Sequence, residues 1–520
     1  MTAPKFPGIS PQHAQQSAGL TIGSLFNNSV QQTPHRIALE DAAGKMTFRE
    51  LDERTNRVAN YLLAFGLQRG DRIAILSENR CEYIELLIAA AKTGVIVACQ
   101  NWRLSESELR HCLELVSPKL IIASPRNHHI GMKHADICPL QKFGSDYEAS
   151  VSSAPDTRPT DPCDPEDGIV ILYTSGTTGL PKGALISHRA EIARTTVQMI
   201  DLPTNSDDAF VAWAPLFHMV STDTVFSTLI QGGAVIVTDG FNPAELASIL
   251  TTHQLGRLTL MPGMIEPFLT AVKALDCPII GVKWAGVMAD LVPREQICEV
   301  TSLLNAPYLN SFGSTETGLA PASGGLVPVG EVPRALDKRQ SSLCRIKLVD
   351  TDDNEVPNGE PGELAIRSPA LFSGYWNNEK ANTDDFRGGW FHMGDVFIRN
   401  SNNTLSFVDR RKYLIKSGGE NIYPAEIERV LLSDPRVADA VVIRKPDPHW
   451  GEVPVAYIVR KDQALSGEDL LAQCVDRIAK YKWPKEFCFV ADDELPRSTT
   501  GKIIRHELEK RMLEEEPPVK

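Results

Sequence analysis

A run of small and hydroxyl-bearing residues between Tyr173 and Gly183 is the segment of this sequence best suited to bind phosphate. It contains three threonines, one serine and three glycines, and it ends in Pro-Lys-Gly. Glycine lets the backbone curl so that successive N–H groups face one point, and the hydroxyls add further donors. Lys182 adds a mobile positive charge, so the segment predicts a site for a polyphosphate.

The spacing of this loop differs from that of a Walker A loop, which requires Gly-x-x-x-x-Gly-Lys-Ser/Thr. Counting on from Gly176, Pro181 stands where the second glycine belongs, and Gly183 follows the lysine. An ordinary flexible turn is the alternative, but an uncharged Ser/Thr/Gly run ending in Pro-Lys-Gly is rare in a plain turn. The candidate phosphate-binding residues are Thr174, Ser175, Gly176, Thr177, Thr178, Gly179 and Lys182.

The loop, read as Thr-Ser-Gly-Thr-Thr-Gly-x-Pro-Lys-Gly, resembles the phosphate loop of the adenylate-forming superfamily. That superfamily includes acyl-CoA synthetases, aryl-CoA ligases, luciferases and the adenylation domains of peptide synthetases. The resemblance extends from about Leu25 to Leu508, with further motifs in the expected order. It implies a ligase that uses ATP and Mg²⁺, releases AMP and pyrophosphate, and takes coenzyme A as a substrate.

The segment from Asn310 to Thr317 resembles the part of the family that contacts adenine and magnesium. An aromatic ring can stack on a purine, and Phe312 stands where the family usually has Tyr. A hard cation prefers carboxylate oxygen, so Glu316 is the expected Mg²⁺ ligand and a catalytic residue. The resemblance also implies ATP contacts by Gly313, Ser314 and Thr315.

Two further motifs resemble the family's ribose-binding and hinge segments. The first ends at Asp395, whose carboxylate would accept hydrogen bonds from both ribose hydroxyls. The second is Asp-Arg-Arg-Lys at residues 409–412. It implies that Arg410 is the second ribose contact and that Lys412 is the pivot between two lobes.

Two loops that follow the hinge resemble the family's exchangeable catalytic elements. Ser417, Gly418 and Gly419 stand where the family forms the tunnel for the pantetheine arm of CoA, and paired glycines let a backbone lie close to a thin ligand. Lys502 lies on a Gly/Thr turn that matches the family's catalytic-lysine motif, so it is implied to contact ATP and the reacting acid.

The candidate acid pocket is also carried over from family positions. The resemblance places His218 between the pocket and the CoA tunnel, where it implies a catalytic residue, although a core histidine is the alternative. The implied lining residues are His218, Met219, Val220, Val287, Met288 and Ser311. Because this set contains no lysine or arginine, it predicts a monocarboxylic acid with a medium-chain, alicyclic or aromatic body.

The elements that position these residues are predicted to alternate between strand and helix. Thr47 and Glu50 have the spacing of a capping box, and apolar residues then recur at helical spacing at Leu51, Val58, Leu62 and Leu63. Residues 72–76 and 169–172 are short apolar runs typical of buried strands. This alternation predicts parallel sheet in an α/β fold.

Together with the resemblance, the pattern predicts a large N-terminal domain, residues 1–411, built of parallel α/β sheets with a small β-barrel-like subdomain. This domain would bind ATP and the acid. Residues 412–520 would form a small, mobile α+β domain that carries the catalytic lysine.

Composition excludes several classes of protein. The chain of 520 residues has a formal net charge of −13, whereas a broad nucleic-acid surface would be basic. No stretch reaches the ~18 apolar residues needed to span a membrane, and the polar start lacks the order of a signal peptide. Ten scattered cysteines fit a reduced protein, so the expected location is cytoplasmic.

The preferred interpretation is an ATP-dependent carboxylic acid–CoA ligase that works through an acyl-adenylate. The first alternative is a free-standing adenylation enzyme that loads an external carrier protein. The second is a nucleotide-binding module without enzymatic activity. The exact acid, the pathway and the oligomeric state, with a homodimer among the options, stay open.

Overall fold

The structure, a computed structural model, describes residues 8, 10–160, 163–174, 180–261, 263–417, 420–475, 477–497 and 503–515. The chain divides into two compact units. The first unit contains Met1–Arg345 and Arg367–Gly389, and the second contains Ile346–Ile366 and Trp390–Lys520. The predicted domains, residues 1–411 and 412–520, stay a prediction.

An eight-stranded sheet forms one layer of the first unit. Its central strands run parallel, and one antiparallel strand closes each edge. In spatial order the strands are Leu326–Val327, Tyr308–Leu309, Gly281–Ala285, Gln254–Leu258, Ala209–Ala212, Val235–Val237, Ile37–Asp41 and Gly44–Thr47. A buried apolar cluster that includes Trp213, Phe268 and Tyr308 packs around this sheet.

A six-stranded sheet carries the phosphate-loop segment. In spatial order its strands are Leu140–Lys142, Leu120–Ala123, Arg72–Leu76, Ile96–Cys99, Gly168–Thr174 and Lys182–Ser187. Only the last pair is antiparallel among these described strands. A separate two-stranded antiparallel ribbon, Phe312–Ser314 with Gly318–Ala322, carries the segment that includes Glu316.

Helices connect and cover the sheets of the first unit. The α-helices are Pro11–Ser17, Ile22–Gln32, Phe48–Ala64, Cys81–Thr93, Glu106–Val116, His128–Met132, Ser145–Ser153, His188–Asp201, Met219–Ile230, Pro243–Leu250, Ile265–Lys273, Arg294–Leu304 and Glu379–Asp385. Short 3₁₀ turns lie at Ala289–Leu291 and Arg387–Gly389.

The helix Phe48–Ala64 shows why local sequence predicts local structure. The Glu50 backbone N–H donates to Thr47 Oγ1 at 3.3 Å, and the Thr47 N–H donates to Glu50 Oε2 at 2.7 Å, which confirms the predicted capping box. Leu51, Val58 and Leu62 are fully buried, as the apolar spacing predicts. Leu63 is 40% exposed, because the buried stripe of this helix is narrower than the run of apolar residues.

Two sheets form the second unit. A four-stranded sheet contains Arg345–Val349, Pro361–Arg367, Phe391–Arg399 and Leu405–Arg410, and the last three of these strands run antiparallel. A five-stranded sheet contains Glu420–Ile422, Ile415–Ser417, Gly451–Arg460, Val437–Asp447 and Glu486–Val490. The α-helices are Pro424–Leu431, Gly467–Cys474 and Arg505–Glu515, and 3₁₀ turns lie at Arg411–Tyr413, Lys480–Lys482 and Asp492–Glu494.

The predicted α/β class is therefore confirmed, with large parallel sheets in the N-terminal part and a separate α+β domain at the C-terminal end. The predicted small β-barrel-like subdomain corresponds to the four-stranded sheet, which follows the large parallel sheets in the sequence. Among helices built from described residues, none combines the length and the apolar character that crossing a bilayer requires.

Candidate active site

The phosphate-loop segment joins two paired strands. Gly168–Thr174 and Lys182–Ser187 run antiparallel, and their last paired residues are Thr174 and Lys182. The Tyr173 hydroxyl donates to the Cys112 carbonyl at 2.9 Å, which anchors the strand end where the loop begins. Ser175, Gly176, Thr177, Thr178 and Gly179 lie outside the described residues, so their predicted phosphate contacts stay predictions.

Lys182 lies beside an aromatic ring and a carboxylate. Its Nζ lies 3.7 Å from the ring centroid of Tyr375, a cation–π contact. Its Nζ also lies 3.7 Å from Asp385 Oδ2. Burial raises the pKa of Asp385, and the Lys182 ammonium works against that rise. The lysine of the loop is thus held partly buried, beside a ring and a carboxylate.

Glu316 contacts the same tyrosine, Tyr375. The Tyr375 hydroxyl donates to Glu316 Oε1 at 2.9 Å, and the backbone N–H of Phe372 donates to the Glu316 carbonyl at 2.8 Å. Burial raises the pKa of Tyr375 above its ordinary value, with Glu316 adding to the rise, so the hydroxyl stays a donor. Two predicted site residues from distant motifs, Lys182 and Glu316, are therefore joined through one side chain that the sequence analysis does not select.

A tight ribbon turn presents Glu316. A Cβ atom built on Gly313 would lie 2.0 Å from the Gly318 carbonyl oxygen, so only glycine fits between the two strands. The Ser314 N–H donates to Thr317 Oγ1 at 3.0 Å and closes the turn. Phe312 and Ser314 are half-buried in the first strand, and Thr315 is half-buried beside Glu316.

A buried arginine, Arg194, hydrogen-bonds to the turn that contains Glu316. Arg194 donates to the Thr315 carbonyl at 2.8 Å and to the Ala370 carbonyl at 3.1 Å. Its Nη1 lies 3.2 Å from Asp223 Oδ2, and its side chain is 1% exposed. Burial raises the pKa of Asp223 and, more strongly, that of Glu191. Arg194 thus ties the Glu316 turn to the chain segment that leads to Tyr375.

The donor set at Glu316 fits a metal ion that arrives with its nucleotide. Within the described ranges, no three His, Cys, Asp or Glu side chains cluster closely enough to hold a metal by themselves. Mg²⁺ is usually held by one or two carboxylates together with substrate phosphates. A single carboxylate near a phosphate loop is therefore a suitable protein contribution.

The candidate acid-pocket residues lie on three separate elements of the first unit. His218 caps the helix Met219–Ile230, because its Nδ1 accepts from the Val220 N–H at 3.3 Å. Met219, Val287 and Ser311 are buried, whereas Val220 and Met288 are half-buried. The assignment of these residues to one pocket, and the catalytic role of His218, stay predictions.

Glycine is required beside that candidate pocket. Gly286 has φ +77°, and a Cβ atom there would lie 2.0 Å from Cζ of Tyr308. The Tyr308 hydroxyl donates to the Val287 carbonyl at 3.3 Å. The Tyr308 ring therefore fixes the backbone from which Val287 and Met288 project.

The second unit pairs the two predicted ribose contacts. Asp395 and Arg410 lie opposite each other on neighbouring antiparallel strands. Arg410 Nε lies 3.1 Å from Asp395 Oδ1, while the side chains of Arg410 and Asp395 are 44% and 4% exposed. Arg410, which is predicted to bind the same ribose, thus holds the Asp395 carboxylate in place. Their binding of ribose stays a prediction.

The predicted hinge residue Lys412 lies in the 3₁₀ turn Arg411–Tyr413. Its Nζ lies 4.8 Å from the Tyr413 ring centroid. Ser417 is buried and pairs with Gly451 on the next strand. Gly418 and Gly419 lie outside the described residues.

The catalytic-lysine candidate, Lys502, also lies outside the described residues. The chain on both sides of it is held in place. Arg497 and Ile503 form an antiparallel bridge, and the Ile504 N–H donates to the Pro496 carbonyl at 2.7 Å. These two contacts join the described residues that precede and follow Lys502.

A buried ion cluster secures the helix that follows. Arg505 Nη2 lies 2.6 Å from Glu428 Oε1, and Arg505 Nη1 lies 3.7 Å from Asp409 Oδ1. The Arg505 guanidinium also lies 4.4 Å from the Tyr413 ring centroid. Burial raises the pKa of both Asp409 and Glu428, and Arg505 opposes each rise.

Sequence reasoning misses Tyr375, Asp385, Arg194 and Arg505. Arg194 follows Glu191 at i,i+3 spacing, which usually indicates a solvated helical pair rather than a buried one. Tyr375 lies in a polar, Asn-rich stretch without apolar periodicity. The only signal in the sequence is that Arg505 lies three residues beyond Lys502, at the start of a helix.

Known protein families and relatives match this chain over most of its length. A model described as AMP-binding enzyme matches residues 26–376, and one described as AMP-binding enzyme C-terminal domain matches residues 426–502. A feruloyl-CoA synthase from Amycolatopsis sp is 32% identical over 510 residues, covering 94% of this chain and 99% of that protein. A 2-succinylbenzoate–CoA ligase from Bacillus licheniformis is 32% identical over 482 residues, covering 92% and 97%.

Solved structures of a CoA synthetase also align with most of the chain. The o-succinylbenzoate CoA synthetase of Bacillus subtilis in complex with its acyl-adenylate intermediate aligns with a TM-score of 0.81 at 28% identity, covering 94% of this chain and 98% of that chain. The same enzyme in complex with ATP and a magnesium ion aligns with a TM-score of 0.80 at 28% identity, covering 93% and 98%.

Proposed function

This chain belongs to the AMP-binding enzyme family and is an acid–CoA ligase, and on that premise we propose that it first joins a carboxylic acid to AMP and then transfers the acyl group to CoA. The observation that carries the proposal is the contact of Lys182 and Glu316 with one tyrosine, Tyr375. A cation for phosphate and a carboxylate for a metal are thereby held side by side, as binding of a metal–nucleotide requires.

The first half-reaction brings two anions together, the acid carboxylate and the α-phosphate of ATP. Like charges at ~4 Å repel by about 4 kcal/mol at an effective dielectric of about 20. Lys502 lowers this repulsion by contacting both anions, and Lys182 stabilises the charge that develops on the leaving pyrophosphate. Mg²⁺ held by Glu316 supplies further neutralisation of the phosphates.

The nucleoside must be held so that attack on the α-phosphate is in line. Asp395 accepts from the ribose hydroxyls, Arg410 supplies the second ribose contact, and Phe312 stacks on adenine. The Asp395–Arg410 pair supports this assignment, because a preoriented carboxylate loses little freedom when it binds. These residues bind and orient, and no covalent enzyme intermediate is needed.

The second half-reaction needs a thiol where Lys502 had been. A C-terminal lobe that turns at Lys412 replaces the Lys502 loop by the loop of Gly418 and Gly419, along which the pantetheine arm lies. Both loops follow the hinge in the sequence, so a single rotation moves them together.

The acid is proposed to be a monocarboxylic acid with an uncharged medium-chain, alicyclic or aromatic body. The candidate lining is mostly apolar and has no lysine or arginine among His218, Met219, Val220, Val287, Met288 and Ser311. The similarity to a feruloyl-CoA synthase supports an aromatic acid, while the similarity to 2-succinylbenzoate–CoA ligases raises the question of a second carboxylate.

A panel of acids tests the proposal in one assay. Ferulate, benzoate, cyclohexanecarboxylate, octanoate, 2-succinylbenzoate and malonate are each supplied with ATP, Mg²⁺ and CoA, and products are identified by mass spectrometry. Pyrophosphate–ATP exchange measures the first half-reaction alone. We expect acid-dependent exchange and an acyl-CoA product. Preference for malonate overturns the substrate class, and absence of exchange with every acid overturns the mechanism. Acyl transfer to an added carrier protein but not to CoA would favour the carrier-loading alternative.

A further inference from the structure

Tyr375 is brought to the phosphate-loop strand by backbone pairing. The Ser373 N–H donates to the Leu185 carbonyl at 2.7 Å, and the Leu185 N–H donates to the Gly374 carbonyl at 3.0 Å. The Trp376 N–H donates to the Gly183 carbonyl at 2.7 Å, and Tyr375 bridges to Ala184. The segment therefore extends the sheet edge in a fixed register, which sets Tyr375 beside Lys182.

The side chain of Tyr375 has little freedom. It is 5% exposed, and its ring packs edge-on against Phe372 at a centroid distance of 4.8 Å. Its backbone N–H donates to Asn382 Oδ1 at 2.6 Å, and Asn382 Nδ2 donates back to its carbonyl at 2.9 Å. The ring and hydroxyl thus occupy one position before any ligand binds.

The two ends of Tyr375 meet groups of opposite charge. The ring face lies 3.7 Å from Lys182 Nζ, and the hydroxyl donates to Glu316 Oε1 at 2.9 Å. A neutral hydroxyl orients a carboxylate without cancelling its charge, whereas an ammonium in the same place would form an ion pair with it. The phenol therefore contacts a candidate metal ligand through its hydroxyl and a candidate phosphate ligand through its ring.

Asp385 completes the arrangement. Its Oδ2 lies 3.7 Å from Lys182 Nζ, so Lys182 is balanced by a second carboxylate rather than by Glu316. Glu316, Asp385 and Lys182 thus surround one tyrosine side chain.

We propose that Tyr375 is a positioning residue for the metal–nucleotide site. Its hydroxyl aims the Glu316 carboxylate at the metal, and its ring holds the Lys182 ammonium for the phosphates. The inference rests on the proposed function, because it takes Mg²⁺ and ATP as the ligands of this cluster. Tyr375 would thus have two roles, one for its hydroxyl and one for its ring, and substitutions can distinguish them.

Two substitutions separate the hydroxyl from the ring. Tyr375→Phe keeps the ring against Lys182 and removes the hydroxyl that donates to Glu316, whereas Tyr375→Leu removes both contacts. Tyr61→Phe is the matched control, because it removes a tyrosine hydroxyl from the remote helix Phe48–Ala64. Equal melting temperatures for the wild type and both phenylalanine variants establish that the fold is intact.

The readout is binding, with Mn²⁺ as a paramagnetic stand-in for Mg²⁺. Electron paramagnetic resonance follows Mn²⁺ bound in the presence of ATP, and equilibrium dialysis in EDTA follows ATP alone. We expect Tyr375→Phe to weaken binding of Mn²⁺ with ATP by about tenfold and to leave metal-free ATP binding unchanged, since one hydrogen bond to a charged group is lost. Tyr375→Leu weakens both.

A double-mutant cycle with Glu316→Gln assigns the effect to this contact. Once Glu316 is an amide, Tyr375→Phe should change Mn²⁺ binding by less than about twofold. In exchange assays Tyr375→Phe should raise the half-saturating Mg²⁺ concentration and keep the rate at saturating Mg²⁺.

Unchanged Mn²⁺ binding in Tyr375→Phe, or equal losses with and without metal, overturns the inference and leaves the proposed function standing. A wild type that binds no ATP and exchanges no pyrophosphate overturns the proposed function instead.

Discussion

Single residues next to the candidate acid pocket are held by contacts that permit very little change. Gly286 combines a left-handed backbone, φ +77°, with a Tyr308 ring so close that a Cβ atom would approach its Cζ to 2.0 Å. A side chain at this position meets both backbone strain and a steric clash. The Tyr308 ring is fully buried, so it has no space to withdraw into.

Gly286→Ala is therefore expected to destabilise the fold by about 2–4 kcal/mol, and to raise the KM for the acid because Val287 and Met288 shift. Thermal denaturation and acid-dependent pyrophosphate exchange measure the two effects. Gly44→Ala is the control, since a Cβ atom there has no neighbour within 4 Å. Equal melting temperatures and equal KM values for the two variants would contradict the expected clash.

Lys502→Ala tests the division between the two half-reactions. Adenylate formation should fall by at least about 10²-fold, because the charge that the lysine neutralises stays unbalanced. Thioester formation from a supplied acyl-adenylate should keep the wild-type rate, since the proposed rotation removes the lysine from the site before this step. Lys510→Ala, an exposed lysine in the following helix, is the control. A similar loss in both half-reactions would refute this role for Lys502.

At the scale of elements, the helix Arg505–Glu515 begins on an ion cluster rather than on a polar cap. Arg505 contacts Glu428 in the helix Pro424–Leu431 and Asp409 at the end of a strand. The Ala425 N–H also donates to Asp409 Oδ2 at 2.8 Å. One guanidinium thus holds together three elements of the second unit, and Lys502 lies three residues before it in the sequence.

Arg505→Gln should lower stability by about 3 kcal/mol near pH 8, because two buried carboxylates lose their cation. Burial already raises the pKa of both acids, and without Arg505 it raises them further. A raised carboxyl pKa contributes stability that is present below the unfolded value of about 4 and is lost as pH rises through the folded value. The deficit in melting temperature should therefore be smaller at pH 5 than at pH 8.

Melting curves of the wild type and Arg505→Gln at both pH values check this expectation. Arg511→Gln is the matched control, since Arg511 lies exposed in the same helix and contacts only the Glu494 carbonyl among described hydrogen bonds. A deficit that is constant with pH, or that grows towards pH 5, would mean that the carboxyls are not the source of the loss.

Elements were more predictable than the contacts between them. The capping box at Thr47, the burial of Leu51 and the strand containing residues 169–172 follow from spacing alone, because each depends on neighbours a few residues away. The candidates for the phosphate loop and the metal site, whose roles stay predictions, come from motifs. Tyr375 and Arg194 do not, since their partners are distant in the chain and one sequence holds no trace of that proximity.

At the scale of the whole molecule, the chain passes between its two compact units three times. It enters the second unit at Ile346, returns to the first for Arg367–Gly389, and leaves it again at Trp390. The returning segment carries Tyr375 and Asp385, and the strands on either side of it belong to the four-stranded sheet that carries Asp395 and Arg410. The segment that carries Tyr375 is therefore connected to the ribose candidates by short stretches of chain.

The proposed hinge lies directly after that sheet. The strand Leu405–Arg410 ends at the ribose candidate, and the 3₁₀ turn Arg411–Tyr413 follows without a linker. A rotation confined to this turn leaves Arg410 on its strand while the Lys502 and Gly418–Gly419 loops move. Large changes of φ and ψ at a few residues between elements are sufficient for such a rotation.

Lys412→Pro tests whether one residue provides this freedom. A proline ring fixes φ near −65°, so only the lobe orientation compatible with that angle can form. We expect one half-reaction to keep its rate and the other to fall at least about tenfold, which changes the ratio of pyrophosphate exchange to thioester formation from supplied acyl-adenylate. Ser401→Pro, within the turn between two strands of the four-stranded sheet, is the control. An equal decrease in both half-reactions, or none in either, would place the pivot elsewhere in the chain.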